Sequence, residues 1–587
     1  VGVNAANEAE VQAMTEDTHQ SASPQAEATG RRPVDAAARR VLILGLDGAT
    51  FDVLDPLMAE GRMPRLAEAI RRGCAGVLHS TVPPITPAAW TTFLTGKQPG
   101  SHGIIDFERY DPFTNRLVLN STRCLDHVRN LWQILSDRGL RVCSINVPMT
   151  YPPVPLNGCM ISGFETPGPQ AEFVYPPDWR REILDRWPDP TLRKNWRRKV
   201  LGGDRLFARN VDYMARSFRQ GAEVARWCGG RTGWDVLMVV LKLVDNLQHK
   251  AWKHIDPRFA RRQPRRREIT RAAFGALDAV IGEMLDYADE HAAAVLMVSD
   301  HGHGSLDGKV YVNLLLQRWG YLRLRGGAAR LGWTGMPWRK PSGGRGGTLP
   351  AGDGPADLPV DFTSTRACVM HAGMAGFLYV NLKGRQPSGI VEPAEYEPQR
   401  DELQARLLGP ECQVRDPGGN LVPLFTAAHK PEELYGCRRK DQPWLPDLML
   451  IPRDGLAVVR KIRGSQAVRW LSYRHLEGTH RPEGVLVATG PGVAAGRRVE
   501  ARLVDCAPTV LALLGQRIPA DMEGHVVADL FAVPPSVEAE PVAVSTPTAG
   551  ARTAPAHAVT APAAAQAYSA AELAQVKARL ADLGYLE

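Results

Sequence analysis

Three aspartates stand at or near the ends of short apolar runs: Asp47 after residues 41–46, Asp245 after 237–244, and Asp300 after 295–299. If those runs are strands of an open α/β sheet, the carboxylates lie at strand carboxyl ends, where such sheets bind ligands. One such residue could be an ordinary turn aspartate, as in Asp47-Gly48 or Asp300-His301-Gly302. Three in the same position argue for a site. Histidines accompany them. His249 follows Asp245 by four residues, so a helix there puts both on one face. His301 adjoins Asp300, and His480 precedes the apolar run 484–489. Carboxylates mixed with imidazoles suit zinc or another borderline divalent metal such as manganese. His254, His291 and His371 read as structural histidines, while His303, in Asp300-His-Gly-His303, stays open between the two roles.

A nucleophile candidate lies in Pro83-Pro-Ile-Thr86-Pro-Ala-Ala-Trp90. Thr86 precedes a proline suited to the first helical position, so it reads as an N-cap whose hydroxyl points away from the helix start. A plain cap is the simpler interpretation. A helix start also favours an anion beside that hydroxyl. A neighbouring metal would lower the hydroxyl's pKa and make an alkoxide able to attack phosphorus.

Such residues need a scaffold. The apolar runs at 41–46, 235–244, 292–299 and 484–489 alternate with helical patterns at 64–72, 128–138 and 271–290. This rhythm predicts an α/β fold, a doubly wound and mostly parallel sheet covered on both faces. Two stretches interrupt it and read as inserted cap regions, about residues 105–230 and 310–450. Residues 1–38 carry almost no large apolar side chain and are expected to be disordered. The catalytic unit then spans 39–532. An Ala/Pro-rich linker covers 533–567, and a terminal helix 568–587 has Leu573, Val576, Leu580 and Leu583 at helical spacing.

Composition sets outer limits. At 587 residues, with 44% hydrophobic and 23% charged residues, the chain is neither disordered throughout nor a small disulfide scaffold. No apolar run approaches the roughly 20 residues of a membrane span. Nine cysteines without a CxxC pair argue against a zinc ribbon or disulfide framework. With no cationic start leading into an apolar core, a cytoplasmic setting is the expectation, although the first residue is Val and a removed leader stays open. The net charge of +8 is small for this length, and the arginines of 258–267 read as a solvated face rather than a nucleic-acid patch. Oligomeric state is not legible.

Taken in chain order, Gly45-Leu-Asp47-Gly48, Thr86 with Leu94-Thr-Gly96 and Ser101-His-Gly-Ile104, Asp245-x-x-x-His249, Ser299-Asp-His-Gly302 and Gly478-Thr-His480 resemble the alkaline phosphatase superfamily. The nearest branch is the type I phosphodiesterase/nucleotide pyrophosphatase family. Gly490-Pro-Gly492 and residues 504–511 extend the likeness, which covers about residues 41–525. The resemblance implies two divalent cations, zinc with manganese as the alternative. Asp245, His249 and His480 would hold one, and Asp47, Asp300, His301 and the Thr86 oxygen the other. It implies in-line attack by Thr86 on a small phosphate ester and hydrolysis of the resulting phosphothreonine.

One position departs from the pattern. Asp106 follows Ile104-Ile105 where nucleotide pyrophosphatases place an asparagine that holds a phosphoryl oxygen, and an ionised Asp106 would repel phosphate unless paired. Asn115, Asn120 or an arginine could take that task. A phosphodiesterase/pyrophosphatase is the reading, against a phosphomonoesterase of the same superfamily or a non-enzymatic binding protein on this fold. The Cys/Ser-x-Pro-x-Arg context of sulfatases is absent, as is a Gly-x-x-x-x-Gly-Lys-Ser/Thr phosphate loop.

Overall fold

Residues apolar at every position of a strand demand cover on both faces of the sheet. Val41–Gly45, Val236–Val240 and Ala294–Val298 are such strands, buried throughout. In the computed structural model, which describes residues 38, 40–191, 203–325, 359–438, 442–462, 464–536, 538–540 and 567–583, they form the centre of a nine-stranded sheet. Val41–Gly45 lies between the other two, parallel to both. Alternate side chains of these strands enter two separate cores. Leu42, Leu44, Leu237, Val239, Val295 and Met297 face one, and Val41, Ile43, Val236, Met238, Leu296 and Val298 face the other. That split is the period-two alternation of strand side chains.

The sheet continues through Val142–Val147 and Gly158–Ser162, both parallel, and ends at the antiparallel Val174–Tyr175. On the opposite side, Glu483–Thr489 runs antiparallel to Ala294–Val298 and to Cys74–His79. The sheet is therefore mostly parallel, as expected. Residues 105–230, however, are not simply an inserted cap. They supply three strands, and the helix Asp204–Thr232 covers one core. Ser144 and Asn146 interrupt the apolar pattern of Val142–Val147, which hides that strand from a periodicity reading.

Two further differences concern boundaries. The apolar run before Asp245 is not one strand. The strand stops at Val240, and Asp245 sits in the first turn of the helix Leu243–Ile255. Continuous apolarity cannot mark where a buried strand passes into a buried helix turn. Glu477–Arg481, which carries His480, is a strand paired antiparallel with Gly302–Leu306.

Residues 367–459 build small sheets outside the main one, with an apolar core that includes Val369, Phe377, Leu378, Met449 and Leu450. The helix Ala570–Leu583 docks on its own chain. Val576, Leu580 and Tyr568 pack on Ile104, Phe107, Tyr151 and Phe164, and Arg579 donates to the carbonyls of Phe164, Thr166 and Pro167. The expected disorder at 1–38 falls almost wholly, and the expected linker at 533–567 in large part, outside the described residues. All nine cysteines are free. Among the described residues no helix is long and apolar enough to cross a membrane.

Candidate active site

Two glycines fix Asp47. A Cβ on Gly45 would lie 2.7 Å from both the Trp90 ring and Val240, so only glycine lets the indole reach the strand. Trp90 Nε1 then donates to Asp47 Oδ2 at 3.1 Å. Gly48 turns the chain at φ +71°, and its N–H donates to Asp300 Oδ1 at 3.1 Å. The first and third aspartates are thereby tied together across neighbouring strands.

The three predicted histidines share one arrangement. His249 Nδ1 donates to Gly478 O at 2.8 Å, His480 Nδ1 to Pro84 O at 2.8 Å, and His301 Nδ1 to Gly302 O at 3.0 Å. Each ring is held by one nitrogen and turns Nε2 inward, the tautomer and orientation typical of histidine metal ligands. His249 Nε2 is 3.1 Å from His480 Nε2 and 3.1 Å from Asp245 Oδ1. His480 Nε2 is 3.4 Å from that same oxygen. His301 Nε2 lies 3.4 Å from Asp300 Oδ2 and 3.9 Å from Asp47 Oδ1.

Thr86 completes the set. It is the first residue of the helix Thr86–Thr95, with Ile85 at the N-cap and no side-chain cap, so the expected capping role is not found. A hydroxyl that caps would turn back to the helix; this one faces His301, with Oγ1 3.2 Å from Nε2. All seven sequence-predicted residues are buried and come together here.

The electrostatics are unbalanced without a cation. Burial, then Asp245, pushes Asp47 up to about 7. Burial and the Asp47 charge raise Asp300 well above the ordinary carboxylate range. Burial opposes ionisation of Asp245 too, but His249 and Lys242 hold it well below that range. Burial keeps His301 and His480 neutral by lowering both. Asp47 Oδ1 and Asp300 Oδ2 are buried with no hydrogen-bond partner. Orphaned carboxylate oxygens facing inward imidazole lone pairs fit divalent cations. Loading at pH 6 should therefore expel at least one proton from this pair, fewer above pH 7. Calorimetric titrations in two buffers of different ionisation enthalpy measure that release; identical heats in both would contradict it.

The matching family decides what these residues belong to. The family model "Type I phosphodiesterase / nucleotide pyrophosphatase" matches residues 41–483, most of the chain. The chain belongs to this family. It is a branch of the alkaline phosphatase superfamily, and its members hydrolyse phosphoric ester bonds, so the reading as a non-enzymatic binding protein is set aside. None of the curated proteins matches the chain. Among solved structures, phosphonoacetate hydrolase from Sinorhizobium meliloti 1021, in complex with phosphonoformate, has 17% identity and a TM-score of 0.47, over 80% of this chain and 94% of its own. Murine ectonucleotide pyrophosphatase / phosphodiesterase 5, an inactive form in complex with AMP, has 12% identity and a TM-score of 0.46, over 84% and 100%.

The departure from the family's pyrophosphatase pattern at Asp106 has a structural answer. Asp106 Oδ2 pairs with His371 Nε2 at 2.8 Å, and Oδ1 accepts from the Phe107 N–H at 2.6 Å. Burial alone would lower His371, but the Asp106 carboxylate raises it. The carboxylate is thus tied down by a residue 265 positions away. The proposed substitutes are engaged elsewhere: Asn120 Nδ2 donates to Asp106 O, and Asn115 Oδ1 accepts from Tyr110. A His371→Ala variant leaves a buried carboxylate without its cation and should lose about 3–5 kcal/mol. Because the His371 pKa is raised on folding, the loss is full below the unfolded value near 6.5 and shrinks as pH rises through the folded one. Urea midpoints of both proteins from pH 5 to 9 check this; a constant difference would refute it.

Two residues here had no sequence signal, and a third had only a faint one. Lys242 is buried, with Nζ 3.0 Å from Asp245 Oδ2, 2.7 Å from Asn246 Oδ1 and 4.6 Å from the Phe164 ring centroid. Asn146, at φ +58° beside an irregularity in its strand, has neither amide atom hydrogen-bonded. His303 faces Asp245 from the strand opposite His480. Only Asp300-His-Gly-His303 hinted at the last.

Proposed function

We propose that this phosphate-ester hydrolase acts on diesters or pyrophosphates through a covalent phosphothreonine at Thr86, with two cations. The observation that carries the reading is a buried hydroxyl 3.2 Å from a neutral imidazole nitrogen that itself belongs to a group of carboxylate and imidazole donors. Asp245, His249 and His480 would hold one divalent cation, and Asp47, Asp300, His301 and Thr86 Oγ1 the other. Such ions, zinc or manganese by donor chemistry, supply hydroxyl activation and neutralise charge on the phosphoryl and leaving oxygens.

The chain's own residues do the rest. The start of Thr86–Thr95 presents its positive end to a phosphoryl group bound beside Thr86. Thr86 Oγ1, having lost its proton to solvent, bonds to phosphorus as the ester oxygen leaves with the electron pair and takes up a proton from solvent to depart as the alcohol. Water then attacks the same phosphorus, and Oγ1 departs with the electron pair of the broken P–O bond, the proton given up by the water balancing the one that Oγ1 regains. Paired with His371, Asp106 does not stand in the way as a free anion. Trp90 and Gly48 hold Asp47 and Asp300 in place throughout.

Residues 39–532 are read as the catalytic unit, with specificity residing in residues 105–230 and 310–450. Aryl phosphate diesters, aryl phosphate monoesters and aryl sulfates, each assayed with and without chelator, test the proposal. Chelator-sensitive turnover, fastest on a diester, is the expected result. Faster turnover of the monoester would move the activity to the phosphomonoesterase branch, and turnover indifferent to chelator would overturn the cation chemistry.

A further inference from the structure

His303 is buried, is not among the seven residues expected to form the site, and yet has the geometry of a donor. Its strand Gly302–Leu306 pairs with Glu477–Arg481 so that His303 stands directly opposite His480. Directly opposed residues of an antiparallel pair project to the same face. Since His480 turns Nε2 toward Asp245, His303 must face the same space. Its Nδ1 lies 3.7 Å from Asp245 Oδ1, and donor atoms of Asp245, His249 and His303 all lie within 4.8 Å of one another.

The ring is fixed by close neighbours. A Cβ on Gly48 would come within 3.0 Å of His303 Nδ1, and one on Gly478 within 2.8 Å of His303 Cδ2. The His249 ring sits edge-on to it at 4.6 Å between centroids, with Trp252 at 5.8 Å. Neither ring nitrogen of His303 has a hydrogen-bond partner. A buried polar atom left unsatisfied costs about 1–3 kcal/mol. A packing role alone would be better served by phenylalanine, which fills similar space without that cost.

We propose that His303 Nδ1 is a further protein donor to the cation that Asp245, His249 and His480 would hold, an inference that rests on the proposed function above. Donors around a tetrahedral zinc at about 2.0–2.1 Å lie about 3.3–3.4 Å apart. The separations of His249, His480 and His303 from Asp245 Oδ1, 3.1, 3.4 and 3.7 Å, bracket that spacing. A carboxylate and three imidazoles make this position richer in protein donors than a three-ligand catalytic zinc site, which keeps a place open for water or substrate. With Asp47, Asp300, His301 and Thr86 Oγ1 around the other cation, each would then have four protein donors.

The direct test is the full-length protein loaded with zinc and its anomalous scattering mapped in a crystal. The expected result is an ion about 2.0–2.2 Å from His303 Nδ1. An ion bonded to Asp245, His249 and His480 but more than about 3 Å from that nitrogen overturns this inference and leaves the proposed function standing. No ion at either group overturns both. In solution, His303→Phe keeps the ring's bulk and His303→Gln keeps a polar side chain, so at least one should fold. Cobalt titrated against a competing chelator should bind the site beside His303 about tenfold or more weakly in a folded variant, with an altered visible absorption band. Wild-type affinity and an unchanged spectrum in a folded variant would refute the assignment.

Discussion

Thr86→Ala should lower kcat about 10³-fold or more, in line with the loss of a nucleophile from other covalent hydrolases. The size follows from position rather than from residue type. The Thr86 side chain is buried at a helix start, caps nothing, and meets His301 Nε2 at 3.2 Å. Thr86→Ser, which keeps the hydroxyl, should retain most of what Thr86→Ala loses. Rapid quench with a phosphorus-labelled diester should trap label on wild-type protein and none on Thr86→Ala. Turnover of Thr86→Ala within tenfold of wild type would remove Thr86 from the chemistry, and label elsewhere would name its replacement.

The second large effect is removal of the cations. Chelation should abolish turnover and lower the thermal midpoint, because Asp47, Asp245 and Asp300 are then buried together with Lys242 as the one cation paired with them by the contacts above. Restoring cation at a thousand times its dissociation constant should add about 4 kcal/mol. The sign of the pH dependence follows from the raised values of Asp47 and Asp300. A carboxylate whose pKa rises on folding stabilises the fold fully below its unfolded value near 4. That contribution is lost as pH climbs through the folded value, about 7 for Asp47. The cation-free protein should therefore weaken across this window, and the gap in midpoint between loaded and cation-free protein should widen from pH 5 to pH 8. Asp300→Asn, lacking one of the competing charges, should narrow that gap. Differential scanning calorimetry of all three forms measures it. A gap that stays constant or closes with rising pH would mean that these carboxylates do not bear the cation's charge.

Much of this protein was legible along the chain because its central strands are short and buried on both faces. Unbroken apolar runs at 41–45, 236–240 and 294–298 announce such strands, and polar residues just beyond them stand out against the background. The seven positions proposed as donors and nucleophile are fixed in type and order by the sequence. What it left open depends on contacts between distant segments. The pairing of Asp106 with His371 spans 265 residues, and the cross-strand placement of His303 against His480 depends on strand register. Lys242 beside Asp245 and the three sheet strands within 105–230 were hidden for a different reason: buried strands and buried helix turns share one apolar pattern, and a polar residue such as Asn146 breaks it. Local sequence thus determined which groups are available for chemistry. Tertiary structure alone decided which charges meet, because the distance between two side chains is set by packing and register and not by their separation along the chain.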